Sequence, residues 1–205
     1  MIKKNKFFKD KSLNFISFSE KYVEYLSTIL KKLDKKKIEK LEKYLEVARK
    51  KNQTIFIAGN GGAAATSITM ANDLGFDILK KTKIDKTFKI QSLNDNPSVI
   101  TAIANDTGYE NIFLNQLKIH YKSGDLLIVL SASGNSLNLI KACEWVKKKS
   151  GKTIGILGFD GGKLLKKCDL TIHIKTEKNE YGPVEDVQLI LNHIFAHWFQ
   201  KKYVK

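Results

Sequence analysis

The sequence predicts an α/β protein with a flavodoxin-like, doubly wound, five-stranded parallel sheet that follows an N-terminal helical hairpin. Three observations predict it. Apolar runs of strand length alternate with segments of helical periodicity, glycine-rich or serine-rich turns follow two of those runs, and the first 52 residues carry helical periodicity alone. Alternating strands and helices indicate right-handed βαβ units and a parallel sheet that is covered on both faces.

Residues 1–52 predict two amphipathic helices, because apolar side chains recur with the spacing of one helix face. The first stripe is Tyr22, Val23, Tyr25, Leu26, Ile29 and Leu30, and the second is Ile38, Leu41, Tyr44, Leu45 and Ala48. We expect these helices to pack together or against another subunit. Residues 53–205 are expected to form the α/β core, so that residues 1–205 make a single domain.

The core segment shows a regular alternation of predicted elements. The predicted strands lie at 54–58, 88–93, 125–130, 153–157 and 170–174. The predicted helices lie at 63–74, from 97, at 110–121, from 137, shortly after 158, and at about 183–203. In such sheets ligands bind beyond the carboxyl ends of the strands, where the strand order reverses. The turns after the first and third strands are therefore expected to line one pocket.

The turn at 131–136 predicts a phosphate site. It places Ser131, Ser133 and Ser136, with a glycine, between a buried strand and the start of a helix. A phosphate there would meet free backbone amides, the positive end of the helix dipole and three hydroxyls. The alternative is a serine-rich turn with a simple N-cap, and capping needs only one of the three hydroxyls. We therefore favour phosphate binding.

The turn after the first strand, Gly59-Asn60-Gly61-Gly62, is expected to add Asn60 and Gly61 to the same pocket. Its spacing also fits a dinucleotide fingerprint in which Ala64 replaces the third glycine. The acid that would bind the ribose lies far downstream, at the end of the next strand, in Asp95. A dinucleotide-binding oxidoreductase is therefore the third-ranked interpretation.

Composition argues against nucleic acids and membranes as partners. The net charge is +15, but Arg49 is the one arginine among 36 basic residues, and the lysines lack interleaved aromatic residues for base stacking. No apolar segment approaches the length of a membrane span, and residues 1–8 lack the apolar core of a signal peptide. Cys143 and Cys168 have no metal-type neighbours. A cytoplasmic protein with reduced cysteines is expected.

Four segments together resemble the sugar isomerase (SIS) family, and within it the phosphoheptose isomerases. They are the Gly-Asn-Gly-Gly turn, Ala-Asn-Asp-x-Gly-Tyr at 104–109, the Ser-x-Ser-Gly-Asn-Ser turn, and a histidine-bearing last helix. The resemblance implies a homotetramer with pockets at subunit interfaces. It also implies that the three turn serines and Asn60 bind a sugar phosphate, and that Asp106 belongs to the site.

The chain differs from this family at the positions that bind zinc and transfer protons. In phosphoheptose isomerases a His and a Glu four residues apart, with a Gln and a His eight apart, bind zinc and transfer protons. The matching positions hold Thr69, Asp73, Glu185 and His193. The resemblance therefore assigns proton transfer to Asp73, Glu185 and His193, and makes them candidate ligands of a divalent ion such as zinc.

Each of these residues also has a purely structural interpretation. Asp73 and Glu185 can be ordinary polar helix positions, with Glu185 in a first turn where the dipole favours acids. His193 lies in an apolar segment and can be a buried structural histidine, and His197 is interpreted as structural. Ala63 and Ala132 replace a serine and a threonine of the family, and the first change removes one phosphate donor.

Two functions of different classes follow from the resemblance. The first is an aldose–ketose isomerase that acts on sedoheptulose 7-phosphate or a related sugar phosphate through an enediol(ate), and that feeds lipopolysaccharide or capsule synthesis. The second is a non-catalytic SIS module that binds a phosphosugar or another protein, as does a relative of these isomerases that binds the bacterial replication initiator.

Overall fold

The structure, a computed structural model, describes residues 6–204 and confirms the predicted fold class. Residues 1–5, on which part of the signal-peptide prediction rests, lie outside the described residues. The five strands are β1 (Thr54–Gly59), β2 (Lys89–Ser92), β3 (Leu126–Ser131), β4 (Lys152–Leu157) and β5 (Leu170–His173). They form one parallel sheet in the order β2-β1-β3-β4-β5.

Helices connect the strands and cover both faces of the sheet. They are α1 (Phe15–Lys32), α2 (Lys35–Lys50), α3 (Gly62–Ala71), α4 (Ile78–Lys81), α5 (Pro97–Thr107), α6 (Ile112–His120), α7 (Leu137–Lys148), α8 (Leu164–Lys167) and α9 (Tyr181–Tyr203). Single turns of 3-10 helix occur at Lys6–Lys9 and Tyr109–Asn111. None of the helices within residues 6–204 is long and apolar enough to cross a membrane.

Strand order reverses between β1 and β3, which lie side by side. Gly59 at the end of β1 pairs with Leu130 of β3, so Asn60 and Ser131 leave the sheet as neighbours. The two turns that the sequence assigns to ligand binding therefore start at the same point of the carboxyl edge, where such sheets bind ligands.

Two apolar clusters pack against the two faces of the sheet, because successive strand side chains alternate between them. Ile55 and Ile57 point into a cluster with α1, α2, α3 and α9, whereas Phe56 points into one with α5, α6, α7 and α8. Leu41 and Leu45 of α2 are completely buried in the first cluster. The N-terminal hairpin is thus part of the core of this chain.

Two helix boundaries differ from the predictions. The helix after the glycine turn does not end near Leu74 but continues through a π-helical segment, Asn72–Asp77, into α4. Leu74 and Ile78 are buried one turn apart, so packing carries the helix past Gly75. The last helix begins at Tyr181, with Pro183 in its first turn, where no backbone donor is needed. The placement of Glu185 in the first turn is therefore wrong.

A buried ion pair within α2 is hydrogen-bonded to the end of α9. Arg49 donates from Nη2 to Glu46 Oε1 at 2.8 Å and to the Tyr203 hydroxyl at 3.1 Å. Burial by itself would raise the pKa of Glu46, but hydrogen bonds from Arg49 and Tyr203 and the guanidinium charge lower it to about 2. Protonation of Glu46 therefore weakens the folded state.

This pair predicts a specific pH dependence of stability. The contribution of Glu46 is complete above its ordinary pKa of 4.5 and disappears as the pH falls toward about 2. We expect Glu46→Gln to lower the free energy of unfolding at pH 7, because it leaves Arg49 buried without its carboxylate. The deficit should shrink below pH 4.5, by at most about 1.4 kcal/mol per pH unit. Urea unfolding at several pH values measures this, and a deficit that stays constant would contradict it.

Candidate functional site

The serine turn, residues 131–136, leaves its hydroxyl groups free to donate. The Oγ atoms of Ser131 and Ser133 accept from the backbone amides of Gly134 at 2.9 Å and Asn135 at 3.3 Å, which leaves each O–H proton available. Ser136 is the N-cap residue of α7, yet its side chain makes no capping bond in the described structure. Ser131 and Ser133 thus make the local bonds of a serine-rich turn, whereas Ser136 does not act as an N-cap. All three hydroxyls lie at the start of a helix.

A second glycine turn, residues 158–162, supports the serine turn. Gly134 has φ +64°, and a Cβ there would lie 2.0 Å from the carbonyl oxygen of Gly161. The backbone amide of Leu164 donates to Gly134 O, and that of Lys163 donates to Asn135 Oδ1, each at 3.0 Å. This support was not predicted, although the Gly161-Gly162 pair, which three residues separate from the end of β4, was a usable signal.

Asn60 connects the two turns through side-chain amides. Its Nδ2 donates to Asn138 Oδ1 at 3.1 Å, while its Oδ1 accepts from Asn138 Nδ2 and from the Tyr109 hydroxyl, both at 2.9 Å. Asn138 is buried in the first turn of α7 and was not predicted. Tyr109 ends the Ala-Asn-Asp-x-Gly-Tyr segment that carries the resemblance. These bonds hold the glycine turn against the helix start that follows the serines.

Among the described residues, Asp106 does not bind to the residues that connect the two turns. It is exposed near the end of α5, and the one hydrogen bond described for its side chain comes from the neighbouring Asn105 at 2.8 Å. Within residues 6–204 it contacts none of the other predicted site residues through a hydrogen bond or an ion pair. The assignment of Asp106 to the site therefore stays a prediction.

Glu185 lies against the start of α3. A Cβ on Gly62 would be 2.2 Å from Glu185 Oε2, so the carboxylate packs directly on that glycine. Gly61, with φ +58°, is the N-cap residue, and no side-chain capping bond within residues 6–204 reaches the backbone amides at this end of α3. Burial raises the pKa of Glu185, and the negative charge of Asp186 raises it further. The described residues supply the Glu185 carboxylate with no hydrogen-bond donor.

Asp73 and His193 meet where the π-helical segment packs on α9. Asp73 Oδ2 lies 3.6 Å from His193 Nε2 and accepts from Asn192 Nδ2 at 2.6 Å. The His193 side chain is 51% exposed, so it is not the buried structural histidine of the alternative interpretation. A carboxylate that orients a solvent-accessible imidazole is a common arrangement for proton transfer.

The three candidate metal ligands do not converge. Asp73 and His193 are together, but Glu185 lies at Gly62, at the opposite end of α3. Glu185 and His193 are separated by about 12 Å of rise along α9. Thr69 turns its hydroxyl to the carbonyl of Ala65. Among residues 6–204 no three His, Cys, Asp or Glu side chains form a group that could hold a metal ion. The placement of these residues does not fit a metal centre within one chain.

The contact between Gly62 and Glu185 predicts the effect of one added methyl group. Gly62→Ala should displace the flexible Glu185 carboxylate with little change in thermal stability, and should lower kcat roughly 10- to 100-fold. Gly75→Ala is the control, because a Cβ there meets nothing within 4 Å. We expect that variant to keep its kcat and to gain at most about 1 kcal/mol of stability. Steady-state kinetics and thermal melts of both variants test this, and equal kcat values would refute it.

Comparison with known proteins agrees with the predicted fold and family. A family model described as the SIS domain matches residues 17–158. The phosphoheptose isomerase of Clostridium acetobutylicum is 34% identical over 194 residues, which cover 92% of this chain and 95% of that protein. The phosphoheptose isomerase of Rhodospirillum rubrum is 34% identical over 142 residues, 69% of this chain and 73% of that protein.

A solved structure shows the same fold at low sequence identity. The structure of a phosphoheptose isomerase from Francisella tularensis superposes with a TM-score of 0.78 at 18% identity, and covers 92% of this chain and 100% of that chain. The family model spans more than half of this chain, and the curated relatives exceed 30% identity. This chain belongs to the SIS domain family, in which these curated relatives are phosphoheptose isomerases.

Proposed function

We propose that this protein is a sugar-phosphate aldose–ketose isomerase of the phosphoheptose isomerase type, with sedoheptulose 7-phosphate or a related ketose phosphate as its substrate. The observation that carries the proposal is the half-exposed His193 beside Asp73, in a chain that also presents three serine hydroxyls at a helix start. A proton-transfer pair and an anion site are the two elements that this reaction needs.

In the proposed mechanism the serine turn binds the phosphate group. The hydroxyls of Ser131, Ser133 and Ser136 donate to phosphate oxygens, and the start of α7 adds backbone amides and the positive end of its dipole. Asn60 is held by Asn138 and stays fixed at the edge of the same turn. The net charge of +15 attracts phosphorylated substrates from solution.

His193 then performs the proton transfer at carbon, with Asp73 beside it, while Glu185, about 12 Å farther along α9, holds a hydroxyl group elsewhere on the sugar chain. Because His193 Nε2 lies toward Asp73, its Nδ1 is the atom available to the sugar. Nδ1 removes the proton from the carbon next to the carbonyl, and the carbonyl oxygen takes the proton of the neighbouring sugar hydroxyl, which gives an enediolate. The enediolate collapses when His193 returns its proton to the former carbonyl carbon. The oxygen that gave up its hydroxyl proton becomes the new carbonyl.

We propose that a homotetramer encloses this site at its subunit interfaces. Large apolar side chains near His193 are exposed: Ile194 by 50% and Trp198 by 46% on α9, and Phe76 by 58% in the π-helical segment. Exposed apolar surface of this kind marks an interaction site. An enediol intermediate also requires shelter from water, which one chain does not provide around a half-exposed histidine.

The cellular setting belongs to the same proposal. Cys143 and Cys168 are free thiols, which supports a reducing cytoplasm. Residues 1–205 are proposed to act as one domain, because the N-terminal hairpin shares an apolar cluster with the sheet and α9. We further propose that the aldose phosphate formed by this protein is used in lipopolysaccharide or capsule synthesis.

Turnover of sedoheptulose 7-phosphate by the purified protein tests the function. Aldose formation should appear, and it should be measured with and without an added divalent ion. Binding of sugar phosphate without turnover in either condition would refute the isomerase and identify a non-catalytic SIS module instead. Failure to bind a nicotinamide cofactor would dismiss the oxidoreductase.

A further inference from the structure

Asn192, the residue before His193, is completely buried and makes an unusual set of contacts. Its Nδ2 donates to Asp73 Oδ2 at 2.6 Å, which is the one hydrogen bond described for its side chain. Its Oδ1 is buried and has no partner within residues 6–204. The Nδ2 of the side-chain amide therefore binds Asp73, whereas its Oδ1 has no hydrogen-bond partner among the described residues.

Stability of the fold does not account for this amide. A buried polar atom without a partner destabilises the folded state, and one hydrogen bond to a carboxylate returns only part of that cost. A leucine has nearly the same shape and would have no unsatisfied atom in an apolar cluster that already contains Leu191 and Phe195. The position thus carries a polar residue at the expense of packing, as Gln188 also does, and the hydrogen bond to Asp73 is what sets Asn192 apart.

The hydrogen bond from Asn192 restrains the carboxylate of Asp73. The oxygen that accepts from Asn192 is the same Oδ2 that lies 3.6 Å from His193 Nε2. The other oxygen, Oδ1, accepts from Asn72 Nδ2 at 3.0 Å. Both carboxylate oxygens are therefore held, and the side chain cannot turn away from the imidazole without losing a bond.

We propose that Asn192 is a positioning residue, which fixes Asp73 so that the carboxylate orients His193 toward the substrate. The inference rests on the proposed isomerase function, which it deepens. Asn192 itself touches no reacting atom. Its loss should therefore lower kcat and leave the binding of sugar phosphate intact.

Gln188 provides a matched control one turn earlier on α9. Its side chain is also a completely buried carboxamide, with Nε2 donating to Ile156 O at 2.9 Å and Oε1 without a partner in the described residues. No hydrogen bond or ion pair within residues 6–204 joins it to Asp73 or His193. Replacing Gln188 by leucine therefore makes the same chemical change on the same helix without touching the pair.

The experiment compares Asn192→Leu with Gln188→Leu by kinetics, thermal melts and phosphate binding. For Asn192→Leu we expect kcat to fall about tenfold or more, with an unchanged KM, an unchanged Kd for inorganic phosphate and an equal or higher Tm. Gln188→Leu should keep its kcat. Asn192→Ala serves as a second variant without the donor if the leucine does not fold.

Three outcomes would overturn the inference: a wild-type kcat in Asn192→Leu, an equal loss of kcat in Gln188→Leu, or a loss of kcat that is explained by a lower Tm. NMR of the His193 ring supplies a readout that does not depend on turnover. The chemical shifts of the ring should change in Asn192→Leu and should match the wild-type values in Gln188→Leu. Unchanged chemical shifts in both variants would refute the positioning role of Asn192. Absence of turnover in the wild-type protein refutes the proposed function instead, and the NMR comparison still decides the role of Asn192.

Discussion

Replacement of His193 by alanine should lower kcat for sugar-phosphate isomerisation by about 100- to 10,000-fold, the range that a general acid–base group contributes. The imidazole is the one group in the site that is both solvent-accessible and paired with a carboxylate, at 3.6 Å from Asp73 Oδ2. Its removal leaves the serine turn intact, so KM should change little. Steady-state kinetics with sedoheptulose 7-phosphate measure both constants.

His197 offers the matched control for this variant. It lies one turn after His193 on α9, is also exposed, and makes no hydrogen bond or ion pair in the part of the chain that the structure describes. His197→Ala should keep kcat close to the wild-type value. If it lost as much activity as His193→Ala, or if His193→Ala stayed fully active, the proposed proton-transfer pair would be rejected.

A negative charge in the serine turn should abolish phosphate binding without unfolding the protein. Ser136→Asp places a carboxylate at the start of α7, where it repels a substrate phosphate but interacts favourably with the helix dipole. Ser136 makes no capping bond in the described structure, and aspartate is a good N-cap, so Tm should stay the same or rise. We expect KM for sugar phosphates to rise about 100-fold or more, since the variant loses a charge-assisted hydrogen bond and gains a repulsion.

Two further variants separate these contributions. Ser136→Ala removes only the hydroxyl and should raise KM about tenfold. Asn14→Asp adds the same charge at the N-cap of α1, where Asn14 Oδ1 accepts from the amide of Ser17 at 2.9 Å, and should leave KM unchanged. Calorimetric titration with inorganic phosphate gives the same comparison without turnover. Unweakened phosphate binding in Ser136→Asp would remove the serine turn from the site.

Several parts of the site could be predicted because they are local in sequence. The serine turn combines a strand of six buried residues, a glycine and a helix start, and each of these is visible along the chain. Support for that turn was not visible in the same way. The close approach of Gly134 to Gly161 depends on how two loops meet beyond adjacent strands.

The metal prediction shows where residue types alone were insufficient. Asp73, Glu185 and His193 have suitable donor atoms, but a ligand set needs convergence as well as chemistry. In the structure the π-helical segment places Asp73 beside His193 and Asn192, whereas Glu185 lies against Gly62. Hydrophobic periodicity predicts which face of a helix is apolar. It does not predict at which residues two helices cross.

The sequence by itself determined the α/β class, the five strands, the position of the serine turn and the family, since each follows from short patterns of burial, turn residues and motif spacing. Only the tertiary structure decided which side chains act together. It joined Asp73 to Asn192 across 119 positions and Asn60 to Asn138 across 78. The physical reason is that such contacts depend on the packing of α9 on α3 and of β1 beside β3, which no local pattern encodes.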